Sequence, residues 1–347
     1  MGLPSGGTAR LVIEEIAYDV TASADADGNV TFVVPLIQVG ATVTVELSVM
    51  DANGTLLWYG SKTGQANDGF NLDITLESQV APPAEVIMKT GSAINTALKA
   101  LGANAAPEKT FSASPTPPAA GTVTELLSDT GSSTEVLAWL DADGSSIKYY
   151  AEGYTDASPA VRIPLNADSA RMFNECRYLT SIELNGFDTG NVTSMEWMFG
   201  SCTRLSSLDV SSFDTRNVTD MTGMFRFCEA LTSLDLRSFD TRRVNNMEQM
   251  FASCKPGLTS LDLSSFDTSS VTSMNQMFFF DRSLATIYVS AGFVTTSVSD
   301  STKMFEDCFV LVGGAGTAFS SSAPVDRTYA CIDDPANGVP GYFTRKP

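Results

Sequence analysis

The chain has 347 residues, of which 43% are hydrophobic and 18% are charged, so it is long and apolar enough for roughly two packed domains. Its 40 acidic and 21 basic residues give a net charge of −19, which disfavours DNA, RNA and anionic membranes as partners. The chain contains no histidine, and this excludes Ser-His-Asp, Cys-His and histidine-ligated metal chemistry.

The first residues bear on location. Residues 1–10 lack the charged start and the continuous apolar core of a secretory signal. The protein is therefore either cytoplasmic or a processed product whose leader has been removed. Because no apolar stretch approaches the roughly 20 residues of a membrane-spanning helix, we expect no membrane span in this chain.

Apolar and polar residues alternate between Leu11 and Leu76, which is the period of a strand with one buried face. Turn signals at residues 27–29 and 51–54, and a second alternating run at residues 70–76, complete the pattern. The clearest run contains Val43, Val45, Leu47 and Val49. We predict about five or six antiparallel strands in an immunoglobulin-like β-sandwich over residues 1–79.

Proline marks the next segment, because six of the 15 prolines fall within residues 82–118. We predict a connector over residues 80–121 that contains one short helix and leans on a neighbouring domain. Ser92 is its predicted N-cap, and Gly102 follows its predicted C-terminus. The apolar face of this helix comprises Ile94, Ala97, Leu98 and Leu101.

The second half of the chain is repetitive. A Met-Phe pair begins at residues 172, 198, 224, 250, 277 and 304, so the unit is 26 or 27 residues long. Each unit starts with Leu-x-x-Leu-x-Leu/Val, the pattern of a short strand. It continues with apolar residues three or four apart, which is typical of one face of a helix; in one unit these are Val218, Met221, Met224, Phe225 and Cys228. Since a unit cannot bury its apolar side alone, we predict that residues 122–347 stack into an α/β solenoid with terminal caps.

These units resemble the BspA-like bacterial surface leucine-rich repeat proteins. The resemblance covers about residues 122–347 and rests on near-copies of a unit such as Leu231-Thr-Ser-Leu-Asp-Leu-Arg-Ser-Phe-Asp-Thr-Arg-Arg-Val, with caps at residues 136–154 and 311–343. It implies a leucine-rich-repeat solenoid, export, and attachment to the cell surface as an outer-membrane-anchored lipoprotein whose signal segment is absent from this chain. It also implies adhesion to host matrix proteins, host cells or other bacteria, and not an enzyme.

Residue types that recur in register predict the interior. The apolar columns are Leu208, Leu234 and Leu261; Phe213, Phe239 and Phe266; Val218, Val244 and Val271; and Met221, Met247 and Met274. A further column contains Cys176, Cys202, Cys228, Cys254 and Cys308, and Asp281 interrupts it. This spacing favours small buried thiols, with disulfides between adjacent coils as the alternative, and Cys331 is the best candidate for an accessible thiol. We expect no cofactor and no metal site.

The side chains between the strand leucines point away from this interior and form the predicted binding surface. They are Glu183, Asn185, Ser207, Asp209, Ser211, Ser233, Asp235, Arg237, Ser260, Asp262, Ser264 and Tyr288. Trp197 breaks its own column and either covers the edge of the first coil or adds a contact. Besides protein binding, two alternatives are a solubilising face on an architectural spacer and a carboxylate-based glycosidase, which the repeated, equivalent acids disfavour. The sequence names neither the ligand nor the oligomeric state.

Two other acidic motifs favour structural roles. Residues 141–145 superficially match a calcium-binding loop, but Ser146 replaces the required glycine, so we predict a hairpin turn. A second acidic column lies where carboxylates accept backbone N–H groups in turns. It contains Asp188, Asp214, Asp240 and Asp267, and its charge is expected to be offset by Arg216, Arg242 and Arg243.

Overall fold

The computed structural model describes residues 86–154 and 162–346 in full and, elsewhere, the backbone of five strands. The chain forms two compact units, Met1–Ala84 and Glu85–Pro347. Within the described ranges, no helix has the length and apolarity needed to cross a membrane.

The first unit contains one antiparallel sheet. Its strands are β1 (Thr8–Ile13), β2 (Ile16–Val20), β3 (Thr42–Met50), β4 (Leu56–Gln65) and β5 (Glu77–Ser78). They are ordered β2-β1-β3-β4-β5, so that Leu47 of β3 lies opposite Leu11 of β1 and Gly60 of β4. Alternation over residues 43–49 therefore predicted the central strand correctly.

The predicted immunoglobulin-like sandwich is wrong, because the described strands of this unit form a single sheet instead of two sheets that face each other. Alternation identifies a strand with one buried face, but it does not identify what covers that face. Residues 27–29, 51–54 and 70–76, where the sequence predicts turns and a further strand, lie outside the described part of the chain.

The second unit combines one α-helix, α1 (Gly91–Ala100), with short strands and turns. The strands are β6 (Lys109–Ala113), β7 (Glu125–Leu126), β8 (Val136–Leu140), β9 (Ser146–Ala151), β10 (Ile163–Pro164), β11 (Leu179–Ile182), β12 (Phe187–Asp188), β13 (Ser207–Leu208), β14 (Ser260–Leu263), β15 (Thr286–Val289) and β16 (Phe343–Arg345). They form sheets ordered β13-β11-β6-β9-β8-β7, β10-β12 and β14-β15-β16. Two 3-10 helices, Arg327–Tyr329 and Pro335–Asn337, lie near the C-terminus.

Helix α1 packs into the core of this second unit. Ile94 and Leu98 are fully buried, which confirms the predicted apolar face. Gly102 follows the helix with a φ of 89°, a left-handed conformation that glycine adopts without strain. The predicted N-cap is wrong, because the cap position is Thr90, and Ser92 lies inside the helix.

The repeats contain turns where the periodicity predicts helices. Each repeat has two left-handed residues four positions apart, such as Gly223 with a φ of 56° and Phe227 with a φ of 58°. The equivalent pairs are Arg171 and Glu175, Trp197 and Ser201, Gln249 and Ser253, Gln276 and Phe280, and Lys303 and Asp307. A right-handed helix cannot contain such residues, so successive turns replace it.

The predicted α/β leucine-rich-repeat solenoid is therefore wrong. Helix α1 is the only α-helix in the described residues, and the rest of the second unit consists of small sheets and turns. The spacing of apolar residues still reports burial correctly, because Val218, Met221 and Cys228 are all inaccessible to solvent. Consecutive turns place every third or fourth side chain inward much as a helix does.

Backbone hydrogen bonds hold the turn segments of neighbouring repeats in register. The N–H groups of Phe199 and Phe225 donate to the carbonyl groups of Met224 and Met250, each over 3.0 Å. The intervening amides bond within their own repeat, as when Met224 N–H donates to Met221 C=O over 3.2 Å. Parallel single-residue bridges join Asp168, Ser194, Asp220, Asn246, Ser273 and Asp300 in the same order. Each repeat thus satisfies polar groups of the next one.

A column of stacked aromatic rings runs through the interior. The rings belong to Phe173, Phe199, Phe225, Phe251, Phe278 and Phe305, with centroids 5.6–5.9 Å apart. The predicted phenylalanine, valine and methionine columns are also buried and are confirmed. The leucine column is wrong in part, because Leu208 and Leu234 are only half-buried. Leu234 is half-buried because its segment is not held in a sheet: residues 231–236 form no strand, and the amides of residues 232–236 donate no backbone hydrogen bond.

Asn95 of α1 closes the first repeat. Its Nδ2 group donates to the carbonyl oxygens of Asn174 over 2.8 Å and of Met172 over 3.4 Å. In the next repeat the equivalent carbonyls, those of Met198 and Gly200, accept amide hydrogens from the repeat before. One buried amide side chain thus takes the place of a missing preceding repeat.

Replacing Asn95 by leucine, which is similar in size, is expected to lower the free energy of unfolding by about 2 kcal/mol, because two buried carbonyl groups lose a donor. Urea denaturation of the full chain measures this change. The control is Thr96→Leu, one position along α1 on its exposed side. Equal stability of the two variants would contradict the capping role.

Candidate functional site

The exposed positions that follow or lie within the strand segments form one surface, the strand-side face, defined by residues 181–185, 207–211, 233–237, 260–264 and 286–290. Parallel pairing sets its register: Ser181 lies opposite Ser207, and Asp262 lies opposite Tyr288. The order β13-β11-β6 places the first two segments beside residues 109–113. Side chains that are 26 or 27 residues apart in sequence are therefore neighbours here.

The structure places most predicted binding residues on this face with solvent access. Those that are exposed are Glu183, Asn185, Ser207, Asp209, Ser211, Ser233, Asp235, Arg237 and Ser260. Asp262, Ser264 and Tyr288 are half-buried. The role of all twelve residues in partner binding stays a prediction.

Four of these residues share a cavity of about 360 Å³ at the β6 end of the strand-side face. Glu183, Asn185, Ser207 and Asp209 line it together with Thr110, Ser112 and Ser181. Lys148 lies at its edge, where Nζ donates to the Ser112 hydroxyl over 2.8 Å. Sequence reasoning missed the β6 residues, because β6 lies outside the repeats and reaches this face through its pairing with β11.

The aspartates of the strand-side face also have a structural role. Asp209 Oδ1 accepts the Ser211 backbone N–H over 2.9 Å, and Asp262 Oδ1 accepts that of Ser264 over 3.1 Å. Asp235 makes the same bond to Arg237 over 3.1 Å. Each carboxylate thus stabilises the turn that ends its strand segment.

The pKa of all three carboxyl groups is lowered, so they are ionised at neutral pH. Hydrogen bonds from Ser211 lower the pKa of Asp209. The Arg237 side chain lowers the pKa of Asp235 to about 2. Burial opposes ionisation at Asp262, but hydrogen bonds from Lys346 and Ser264 outweigh it and lower the pKa there as well.

Charge is distributed unevenly along this face. Asp235 pairs with Arg237 over 2.6 Å, and Asp262 pairs with Lys346 over 2.6 Å. In the part of the chain that the structure describes, neither Glu183 nor Asp209 forms an ion pair. Lys148 at the edge of the cavity bonds to Ser112 and not to either acid, so the acids at the cavity end are unpaired, whereas those at the far end are paired.

Trp197 does not lie with the other predicted binding residues. It belongs to the turn segments, and a Cβ atom built on Gly223 would lie 2.8 Å from Trp197 Cε2, so the ring covers the backbone of the next repeat. The Arg226 guanidinium lies 5.0 Å from the ring centroid. This placement favours the covering role over a role in partner contact.

The second acidic column and the hairpin have the predicted structural roles. Asp188 and Asp267 accept the backbone N–H groups of Gly190 and Ser269 over 2.9 Å and 3.0 Å, which confirms the turn role. Residues 141–145 connect β8 and β9 as a hairpin turn, so that prediction is confirmed too.

All six cysteines are free, and five are buried, which confirms thiols over disulfides. The Cys202 and Cys228 thiols donate to the carbonyl oxygens of Phe173 and Phe199 over 3.1 Å and 3.2 Å. Burial raises the pKa of the Cys176 thiol to about 12. The column is therefore protonated at neutral pH and serves packing. Cys331 is only half-buried and is the most accessible of the six.

The repeats are similar to one described protein family. Residues 167–278 and 258–317 match the model of a family described as "Mycoplasma protein of unknown function, DUF285". Neither a curated protein nor a solved structure matches the chain at a significant level. The matched residues contain all five segments of the strand-side face and all six Met-Phe pairs, so it is the repeat region of the second unit that is similar to this family.

Proposed function

We propose that this protein binds a protein partner through the strand-side face, as an adhesion or interaction protein without catalytic activity. The observation that carries the proposal is the contrast between a repeated interior and a varied exterior. The phenylalanine column is the same in six successive repeats. On the strand-side face, residues 185, 211, 237 and 264 are asparagine, serine, arginine and serine.

The charge of the cavity end indicates the kind of partner. Glu183 and Asp209 are exposed and form no ion pair within the described residues, and they share the cavity with hydroxyl and amide groups. Such a surface is complementary to a basic patch rich in lysine or arginine. Electrostatic complementarity of this type increases the association rate and selects among partners.

We further propose that the protein acts at a bacterial cell surface, attached as an outer-membrane lipoprotein, with host matrix proteins, host cells or other bacteria as partners. The resemblance of the repeats to BspA-like surface proteins supports this location. The matched family is associated with BspA-like repeat proteins, which agrees with it.

A test replaces the face's charges without removing its turn hydrogen bonds. Asp209→Asn, Asp235→Asn and Asp262→Asn together keep an Oδ1 acceptor for each turn amide but remove three negative charges. We expect capture by immobilised matrix proteins or bacterial cells to fall at least tenfold. The matched control, Glu135→Gln, Glu152→Gln and Glu229→Gln, removes the same charge from other parts of the surface and is expected to bind as the parent does.

The outcome separates this proposal from the alternative of an architectural spacer. The turn hydrogen bonds of these aspartates would be equally useful in a spacer, so they do not favour either role. Unchanged capture by the triple aspartate variant would contradict binding through this face. Failure of the parent chain to bind any protein or cell on the panel would favour the spacer.

A further inference from the structure

Three arginines from two neighbouring repeats line one exposed cavity of about 370 Å³, away from the strand-side face. They are Arg216, Arg242 and Arg243, and Asn217 and Asp240 complete the lining. The other repeats carry Gly190-Asn191, Ser269-Ser270 and Thr296-Ser297 at these positions. In a chain with a net charge of −19, three arginines thus lie together at positions where the other repeats named carry no cation.

Two of the three arginines are paired only in part. Arg216 Nε lies 2.9 Å from the Asp214 carboxylate. Arg242 forms a bidentate pair with Asp240, in which Nε donates to Oδ1 over 2.9 Å and Nη2 donates to Oδ2. Each of these acids lies two residues before its arginine in the same turn. Since a guanidinium carries five N–H donors, both arginines retain donors for a ligand.

Arg243 has no acidic partner among the described residues. Its Nη1 group donates to Asn217 Oδ1 over 3.1 Å. Asn217 is itself fixed, because its Nδ2 group donates to the Gly190 carbonyl oxygen over 2.8 Å. A neutral amide therefore orients the Arg243 guanidinium at the cavity without neutralising it.

We propose that this cavity binds a tetrahedral oxyanion, namely the sulfate or phosphate ester of a sugar. Guanidinium groups match such oxyanions because two parallel N–H donors reach two oxygens at once. Arginines from two repeats can contact one tetrahedral group from different sides, and the open cavity leaves room for the sugar that carries it. The acidic remainder of the protein opposes this binding only weakly, because the Debye length is about 8 Å at physiological ionic strength.

Calorimetric titration of the full chain with galactose 6-sulfate and glucose 6-phosphate tests the site, with sodium sulfate and uncharged galactose as further arms. Arg243→Gln is expected to weaken ester binding at least tenfold. The matched control is Arg327→Gln, which removes the same charge from an exposed arginine of the 3-10 helix Arg327–Tyr329 and is expected to change binding less than twofold.

Three results would overturn the proposal: no saturable binding of either ester by the parent chain, equal weakening by the two arginine variants, or tighter binding of inorganic sulfate than of both esters. Preference for galactose 6-sulfate over glucose 6-phosphate would assign the site to sulfated sugars, and the reverse preference would assign it to phosphorylated ones. Because both substituted arginines are exposed, thermal unfolding of the variants is expected to match that of the parent.

Discussion

Replacing Phe225 by alanine is expected to lower the free energy of unfolding by about 3 to 5 kcal/mol. Phe225 is fully buried, and its ring stacks 5.8 Å from those of both Phe199 and Phe251. The substitution removes the apolar contacts of one ring and leaves a cavity between two others. Equilibrium denaturation in urea, monitored by tryptophan fluorescence and circular dichroism, measures the change.

The matched control is Phe227→Ala, two residues along the same turn. Phe227 is half-buried and contacts the Arg226 guanidinium, 4.6 Å from its ring centroid. Its loss is expected to cost about 1 kcal/mol. If the two alanine variants were equally stable, the ring column would not be the interior that holds the repeats together.

Replacing Asp281 by asparagine is expected to stabilise the protein by about 3 kcal/mol at pH 8 and by little at pH 4. Asp281 interrupts the cysteine column and is buried, and its Oδ1 accepts the Cys254 backbone N–H over 2.6 Å. Asparagine keeps that acceptor without a charge. Four thiols of the column donate to a carbonyl of an earlier repeat, namely those of Cys202, Cys228, Cys254 and Cys308. A neutral carboxyl group at residue 281 can also donate such a bond, whereas a carboxylate cannot.

The sign follows from the pKa. Burial raises the pKa of Asp281 well above its ordinary value, so the folded protein holds this proton more tightly than the unfolded chain. The stability that the group contributes is complete below its unfolded pKa of about 4 and is lost as pH rises toward the folded pKa. Urea midpoints of parent and variant, measured between pH 4 and pH 9, are expected to diverge steadily as pH rises.

Asp267→Asn serves as the control of opposite sign. Hydrogen bonds from Ser269 lower the pKa of Asp267, so that group stabilises the fold at pH values above its unfolded pKa. Its replacement is expected to give no gain in stability at pH 8. A pH profile of Asp281→Asn that runs parallel to that of the parent would show that Asp281 is not buried as described.

Sequence periodicity predicted burial far better than backbone conformation. Val218, Met221 and Met224 are buried as expected, yet the segment that carries them is a series of turns. Glycine at the left-handed positions would have indicated turns in the sequence. Most of these positions carry another residue, for example Gln249 and Phe280. Such residues adopt this conformation only because inter-repeat hydrogen bonds hold it, and those bonds are not visible in one repeat.

Contacts between the repeats and residues outside them could not be predicted from the repeat pattern either. Asn95 caps the first repeat across 79 residues of sequence, and Ser112 enters the predicted surface through the pairing of β6 with β11. For Asp209 and its equivalents, the sequence offered a structural role only as an alternative to partner binding, and it did not predict their turn hydrogen bonds. Asp262 of the strand-side face is paired by Lys346, which lies outside the repeats, so the repeat pattern could not show which acids are paired.

The location of a bound partner decides whether the strand-side face is the binding surface. Hydrogen exchange of the full chain, measured with and without the matrix protein or bacterial surface protein that it captures, reports which backbone amides the partner covers. We predict slower exchange at residues 181–185 and 207–211 and no change in the turn segment around Trp197. Slower exchange confined to the turn segments, with the strand-side face unaffected, would contradict it.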